Sequence, residues 1–116
     1  MDTHTLLVLY FDFYGLLLTE KQQHIFKMYY EDDLSLAEIG GEVGVTRQAV
    51  HDILQRSEKQ LLNYENKLGL VHKFLRQREK IASAYELLKD NDQDGNVSKA
   101  TIILKEAILE ETGFDE

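Results

Sequence analysis

Apolar side chains recur at heptad spacing through much of the chain, and no proline interrupts them. Leucines stand seven residues apart at Leu54, Leu61, Leu68 and Leu75. The offset heptad positions hold Val50, Ser57, Tyr64, Val71, Arg78 and Tyr85. Because the 116 residues include no proline, no helix interior lacks a backbone N–H donor. The spacing predicts one long amphipathic helix, or two helices joined near Gly69, since glycine lowers helix propensity by about 1 kcal/mol. Such a helix packs on its own domain or forms a dimer seam, and the heptad spacing alone does not decide between these two alternatives.

Capping signals divide the preceding segment into three shorter helices. We expect a first helix over residues 5–18, with an apolar stripe at Leu6, Leu9, Tyr10, Phe13, Leu16 and Leu17. Thr19 and Gln22 form a capping-box pattern ahead of a helix over about 20–30, and Ser35 and Glu38 repeat it ahead of about 36–42. No segment has the two-residue period of a strand. The chain is therefore predicted to be all-α.

The stretch GVTRQAVHDILQRSE, residues 44–58, has the pattern of the turn and second helix of a helix-turn-helix. Gly44 suits the positive φ that a tight turn requires, and Thr46 is placed to cap a helix that begins at about residue 47. The predicted core of the motif is Ile39, Gly40, Gly44, Val50 and Ile53. The position of Gly40 usually holds alanine, so glycine departs from the common pattern there.

The remaining residues of this second helix face outward and are the candidate DNA contacts. They are Thr46, Arg47, Gln48, His51, Asp52 and Gln55. Arg47 is suited to guanine and Gln48 to adenine, and either can hold a phosphate instead. Thr46 and the N–H groups behind it suit a phosphate. Helix-turn-helix proteins read base edges from these N-terminal turns.

Several separated motifs resemble a known protein family. The run from LTEKQQHIFKMYYEDD to ILQRSEKQL resembles region 4 of bacterial sigma factors, which reads the promoter −35 element. FDFYGLLLTEKQ, YYEDDLSLAEI, GVTRQAVHD and EKQLLNYENKLGL resemble more closely the YlxM family of small helix-turn-helix proteins, encoded beside signal recognition particle genes. The resemblance covers about residues 10–80. It implies a sigma-region-4-like helix-turn-helix fold and a regulatory role tied to the signal recognition particle pathway. Asp52 departs from region 4, where an amide side chain is common.

Charge is distributed unevenly along a chain whose formal net charge is −8. Residues 35–80 carry eight Lys/Arg against six Asp/Glu, whereas residues 81–116 carry three Lys against nine Asp/Glu. One hypothesis is a homodimeric DNA-binding regulator that uses the locally basic segment. The alternative is a protein-interaction regulator whose acidic surfaces contact a signal recognition particle component or RNA polymerase. RNA binding along Lys59, Lys67, Lys73, Arg76, Arg78 and Lys80 is a third option.

We expect two parts in the chain: residues 1–62, with the first helices and the helix-turn-helix, and residues 63–116. The second part holds the continuing helix and a last helix over about 98–112, with candidate buried residues Val97, Ile102, Ile103, Ala107 and Ile108. It is expected to pack on the same domain or to serve dimerisation.

Several classes of chemistry find no support in the sequence. Cysteine is absent, which excludes disulfides and thiol catalysis. No nucleophile elbow, P-loop or paired catalytic carboxylates occur, so no enzyme activity and no cofactor are expected. DNDQDGNVS, residues 90–98, matches the first half of a calcium loop with Asp90, Asp92 and Asp94 at ligand positions, but position twelve is Thr101 rather than Glu. We therefore expect no metal site. The N-terminal apolar run is too short to span a bilayer and lacks a signal peptide's basic start, so a cytoplasmic protein without membrane contact is expected.

Overall fold

A computed structural model describes residues 1–89 and 95–112, with side chains described as far as Leu109. The helices are α1 Thr3–Tyr14, α2 Glu20–Tyr30, α3 Leu36–Val43, α4 Arg47–Leu68, α5 Leu70–Leu88 and α6 Asn96–Thr112. A 3-10 turn, Gly15–Leu17, follows α1. No strand occurs in either described range, so the prediction of an all-α fold is confirmed. The chain divides into two compact units, Met1–Val71 and His72–Glu116.

Both predicted capping boxes are present and fix where α2 and α3 begin. The Thr19 hydroxyl accepts from the Gln22 N–H at 3.1 Å, and the Gln22 side chain accepts from the Thr19 N–H at 2.9 Å. Ser35 and Glu38 make the same reciprocal pair at 3.1 and 2.8 Å. Each box satisfies two N–H groups that no helical carbonyl can reach. The predicted starts of these helices are therefore confirmed.

The predicted apolar stripe on α1 was out of phase. Leu7, Phe11, Tyr14 and Leu18 are the buried residues there, whereas Leu16 is 89% and Leu17 58% exposed. Two features of the segment account for the error. Almost every residue is apolar, so polar positions do not mark the outer face. The 3-10 turn also changes the rotation per residue after Tyr14, which moves Leu16 and Leu17 out of the core.

The core of the first unit lies where α1, α2 and α3 pack on α4. The Phe11 and Phe26 rings stack with centroids 4.3 Å apart and an interplanar angle of 6°. Around them are fully buried aliphatic side chains: Ile25, Ile39, Val50 and Leu61. Ser57 is also fully buried, and its hydroxyl donates to the Ile53 carbonyl at 2.8 Å. Ser57 is a polar residue in the heptad pattern, and this bond gives its buried hydroxyl a hydrogen-bond partner.

The heptad region forms two helices rather than one. Gly69 adopts φ 63°, ψ 22° and ends α4, and α5 begins at Leu70. The Tyr14 hydroxyl donates to Glu65 Oε1 at 2.6 Å and accepts from the Leu70 N–H at 3.2 Å. Glu65 Oε1 also accepts from the Val71 N–H at 3.1 Å. Two N–H groups at the start of α5 are thus capped by side chains from α1 and α4.

In the second unit, the expectation that Ile102 and Ile103 are buried was wrong. They are 56% and 65% exposed, whereas Val97, Ala107 and Ile108 are half-buried. The segment ATIILKEAIL places apolar residues on more than one side of a helix, so its periodicity does not select one face. The calcium-loop residues Asp90, Asp92 and Asp94 lie outside the described residues.

Candidate nucleic-acid interface

The turn between α3 and α4 is built on a left-handed glycine. Gly44 has φ 77° and ψ 33°, a conformation that costs a residue with a Cβ about 1–2 kcal/mol. The N–H groups of Gly44 and Val45 both donate to the Gly40 carbonyl, at 2.9 and 3.0 Å. These bonds close the end of α3 and direct the chain into α4. The predicted turn at Gly44 is therefore confirmed.

Gly40 is glycine because the turn backbone passes directly over it. A Cβ at Gly40 would lie 2.6 Å from the Val45 carbonyl oxygen, which is closer than van der Waals contact allows. The common alanine at this position would force the turn to shift. Gly41 has open space where its Cβ would be. The departure from the usual motif therefore reflects a closer approach of the turn to α3.

The five predicted core residues of the motif lie around this turn. Ile39, Gly40 and Val50 are buried, Ile53 is half-buried, and Gly44 is exposed in the turn itself. Helix α4 begins at Arg47, as expected, because the Thr46 hydroxyl accepts from the Ala49 N–H at 3.0 Å. The Thr46 oxygen acts as the acceptor in this cap, and the same hydroxyl can still donate its proton to an anion.

The candidate contact residues share one face at the start of α4. Thr46, Arg47, Gln48, Asp52 and Gln55 are exposed, and His51 is half-buried. Their spacing places residues 47–55 of this set within less than half of the helix circumference. The face is long enough to present several side chains at once to a groove about 12 Å wide.

Contacts within this face centre on Asp52. Gln48 Nε2 donates to Asp52 Oδ1 at 3.0 Å, and His51 Nδ1 lies 3.6 Å from the same oxygen. The buried Nδ1 has no hydrogen-bond partner in the described part of the chain. The Gln48 amide is thus engaged within the protein and would have to leave Asp52 before it could contact any other group. Asp52 holds Gln48 in place but also places an anion on the face.

Tyrosines bind the other two carboxylates of α4. Tyr30 donates to Glu58 Oε2 at 2.6 Å, as Tyr14 does to Glu65. Burial, reinforced by the bond to Glu65, raises the pKa of Tyr14 to about 12. Burial and then the bond to Glu58 raise the pKa of Tyr30 well above its ordinary value. A tyrosine hydroxyl is already protonated at neutral pH at its ordinary pKa of 10.0, and these shifts keep both hydroxyls as donors in more alkaline solution.

The cations of α4 have no such partners. Arg47, Arg56, Lys59 and Lys67 are all exposed, and none has a carboxylate oxygen within 4.0 Å among the described residues. Because Glu58 and Glu65 are occupied on the inner side of the helix, the outer side presents mainly positive charge. This arrangement explains how a chain of net charge −8 offers a locally basic helix surface.

The sequence did not identify a groove that borders this face. It has a volume of about 450 Å³ and lies between the first turn of α2 and α4. Its lining residues are Thr19, Lys21, Gln22, Ala49, Asp52, Ile53, Arg56 and Gln60. Helical spacing from Asp52 could have indicated Arg56, four residues later on α4. No local signal could have indicated Lys21, because α2 meets α4 only in the folded unit.

Metal and membrane features are not found in the residues described. Within residues 1–89 and 95–109, no group of three or more His, Asp or Glu side chains could hold a metal ion. No described helix combines the length and the hydropathy needed to cross a bilayer.

The family model and the similar proteins all identify one family, UPF0122. Residues 1–103 match UPF0122, described as "Putative helix-turn-helix protein, YlxM / p13 like". A UPF0122 protein of Desulforamulus reducens is 47% identical over 100 residues, covering 84% of this chain and 86% of that protein. Another, from Clostridium acetobutylicum, is 50% identical over 84 residues, covering 70% and 72%. A third, from Clostridium botulinum, is 49% identical over 79 residues, covering 68% and 72%.

Proposed function

Because the chain belongs to the UPF0122 family of YlxM/p13-like helix-turn-helix proteins, we propose that it is a DNA-binding regulatory protein. The N-terminal turns of α4 enter the major groove, in the manner of sigma region 4. The observation that carries this proposal is the exposed face of α4. Arg47 on this face has no carboxylate oxygen within 4.0 Å among the described residues, and a tight glycine turn fixes the first turn of α4 relative to α3. DNA readers of this class need such a helix start.

Each residue of the face has a distinct proposed role. Arg47 contacts a guanine edge or a phosphate, and Gln48 contacts adenine after leaving Asp52. Thr46 donates its hydroxyl proton to a phosphate beside the start of the helix. His51 and Gln55 lie one and two turns farther along and extend the contact. Asp52 repels the polyanion, which restricts binding to sites where the other contacts outweigh this cost.

Homodimerisation would let two weak contacts act together. The second unit exposes large apolar side chains on both of its helices, at Leu87, Ile102, Ile103 and Leu109. Contact between two copies would remove this apolar surface from water. Two helix-turn-helix motifs would then meet two half-sites, and the second binding event would become intramolecular. On this proposal, residues 63–116 serve assembly and residues 1–62 serve DNA contact.

The test is a binding selection against genomic DNA fragments at two salt concentrations. Arg47→Ala is compared with Lys27→Ala, which removes an exposed cation from the last turn of α2. We expect the parent to enrich one sequence. A lost bidentate base contact is worth about 1–3 kcal/mol, so Arg47→Ala should weaken binding roughly five- to 150-fold per half-site. Lys27→Ala should bind like the parent. The absence of enrichment even at low salt would refute DNA reading by α4.

A second candidate function rests on a separate observation. The end of α2, the following loop and α3 expose a group of carboxylates: Glu31, Asp32, Asp33, Glu38 and Glu42. Such a surface suits a Lys/Arg-rich protein, and a signal recognition particle component or RNA polymerase is the proposed partner. Affinity purification of the parent and an Asp32→Asn/Asp33→Asn variant from native cells tests this function. A basic protein recovered with the parent and lost with the variant supports it, whereas recovery of nucleic acid alone contradicts it.

A further inference from the structure

The groove between α2 and α4 has the chemistry of an anion site. Lys21 and Arg56 line opposite sides of it, on α2 and α4, and both are exposed. Neither has a carboxylate oxygen within 4.0 Å in the described part of the protein. We propose that this groove binds the phosphodiester backbone of DNA alongside the base-reading face of α4. The proposal rests on the DNA-binding function proposed above and adds a second contact surface to it.

A fixed chain of hydrogen bonds supplies a third donor in the groove. The Thr19 N–H can only donate, and it donates to Gln22 Oε1 at 2.9 Å, which sets the orientation of the Gln22 amide. Gln22 Nε2 must then donate, and it reaches Gln60 Oε1 at 2.7 Å. Gln60 is thereby oriented with its Nε2 donors unused by any described residue. A backbone N–H thus fixes the orientation of Gln60 and leaves a donor beside Arg56.

The balance of charge in the groove also favours an anion. Among the described residues that line it, Asp52 is the one acidic side chain, set against the two cations. The Asp52 carboxylate already accepts from Gln48 at 3.0 Å. The groove therefore carries a net positive charge and three donors, with one carboxylate that is partly satisfied. A phosphodiester, which has a single negative charge and several acceptor oxygens, matches this set.

The position of the groove along α4 fits the geometry of a duplex. Arg47 and Arg56 are nine residues apart, a rise of about 14 Å along the helix. The major groove is about 12 Å wide and is bordered by a sugar-phosphate backbone on each side. The same nine residues amount to about two and a half turns, so Arg56 lies on the opposite side of α4 from Arg47. With Arg47 at the base edges, Arg56 and the groove would therefore be directed toward the bordering backbone. Asp52 belongs to both surfaces, which shows that they adjoin.

The test measures DNA affinity as a function of salt concentration for two matched double variants. Lys21→Gln/Arg56→Gln removes both cations of the groove. Lys27→Gln/Lys67→Gln removes two exposed cations from the same two helices but outside the groove. Each phosphate contact contributes about 0.9 to the slope of log affinity against log salt. We expect the groove variant to lower the slope by about 2 and the affinity at 0.1 M salt by about tenfold or more. The control should change both only slightly.

Sequence preference separates this site from the base-reading face. Phosphate contacts carry no sequence information, so the groove variant should weaken the selected site and a scrambled duplex by the same factor. A charge-conserving variant, Lys21→Arg/Arg56→Lys, should retain the slope of the parent. Circular dichroism of all variants reports whether the helices are intact.

Three outcomes overturn the proposal, and each is distinct. Equal losses in the groove variant and its control would mean that net charge alone matters, with DNA binding still standing. A changed sequence preference in the groove variant would mean that Lys21 or Arg56 reads bases rather than phosphates. If the parent selects no DNA, the proposed function fails and the groove contact fails with it.

Discussion

The two units differ most in how far they bury their apolar side chains. Every buried side chain in the described ranges lies in Met1–Val71, where four helices enclose Ile25, Ile39 and Val50. Among described residues from His72 onward, none is buried, and Leu87 and Ile103 are largely exposed. The first unit therefore has a core that can hold a contact face rigidly. The second unit leaves apolar surface uncovered, as an assembly element would.

The same contrast holds for polar contacts. In the first unit, capping boxes and tyrosine–carboxylate bonds fix the ends and the packing of helices. In the second unit, the ion pair between Lys89 and Glu86 at 3.0 Å is exposed to solvent. Exposed pairs of this kind contribute little. Mutations of like residues in the two units should therefore differ sharply in their effect on stability.

The largest difference in stability is expected between alanine variants of two isoleucines, one in each unit. Ile39 is fully buried, whereas Ile103 is 65% exposed. Ile39→Ala should lower the free energy of unfolding by about 3 kcal/mol, because it leaves a cavity between α3 and α4. Ile103→Ala should lower it by less than about 0.5 kcal/mol in the monomer. Urea denaturation followed by circular dichroism at low protein concentration measures both values, and equal effects would contradict the proposed contrast.

A tyrosine pair should give the next largest difference in stability between the two units. Tyr14→Phe removes the bond to Glu65 and the partner of the Leu70 N–H, and should cost about 2 kcal/mol. Tyr85→Phe is the matched change in the second unit. Tyr85 is half-buried, and its hydroxyl has no partner in the described residues. Its loss should cost less than about 0.5 kcal/mol. Tyrosine fluorescence during denaturation follows the first unit, which holds five of the six tyrosines.

The stability difference between the parent and Tyr14→Phe should depend on pH, and the direction of that dependence is defined. The folded state raises the pKa of Tyr14 from 10.0 to about 12, chiefly through burial, so folding disfavours its ionised form. The stabilisation is fully present below pH 10 and is lost as the pH rises from about 10 to about 12. The stability advantage of the parent over Tyr14→Phe should shrink across that range. An advantage that grows with pH would contradict the assigned bond to Glu65.

Two adjacent glycines test how closely the helix-turn-helix is packed. Gly40→Ala should destabilise the first unit by about 1.5 kcal/mol, because its Cβ would meet the Val45 carbonyl oxygen at 2.6 Å. Gly41→Ala enters open space on the same helix and should stabilise it by about 0.5–1 kcal/mol. Thermal unfolding of both variants provides the measurement. If both substitutions stabilised the protein, the Val45 carbonyl would not restrict the space at Gly40.

The smallest difference concerns surface polar contacts. Ser35→Ala removes the capping box of α3 and should cost about 1 kcal/mol. Glu86→Gln removes the exposed ion pair with Lys89 and should cost less than about 0.5 kcal/mol. Chemical denaturation of both variants at two salt concentrations separates them, since only the ion-pair effect should fall with added salt. A larger cost for Glu86→Gln would refute the contrast between the units.

Local signals in the sequence were sufficient to predict where three helices start. Thr19, Ser35 and Thr46 cap α2, α3 and α4 through residues three positions away, and Gly44 supplies a left-handed turn. Such contacts depend only on chain neighbours, so a sequence pattern predicts them. The candidate contact face was predictable for the same reason, because its residues lie on consecutive turns of one helix. Whether that face reads DNA stays a prediction.

Tertiary structure decided what neighbours along the chain cannot encode. It set which face of α1 is buried, because an almost wholly apolar segment has no polar side to fix its rotation. It stabilised the break that Gly69 makes between α4 and α5 by bringing Tyr14, 51 residues away, to Glu65. It also brought Lys21 of α2 and Arg56 of α4 to the two sides of one groove. The sequence by itself determined the all-α class, the starts of α2, α3 and α4 and the exposed face at the start of α4, whereas only packing between distant segments determined the core and the groove.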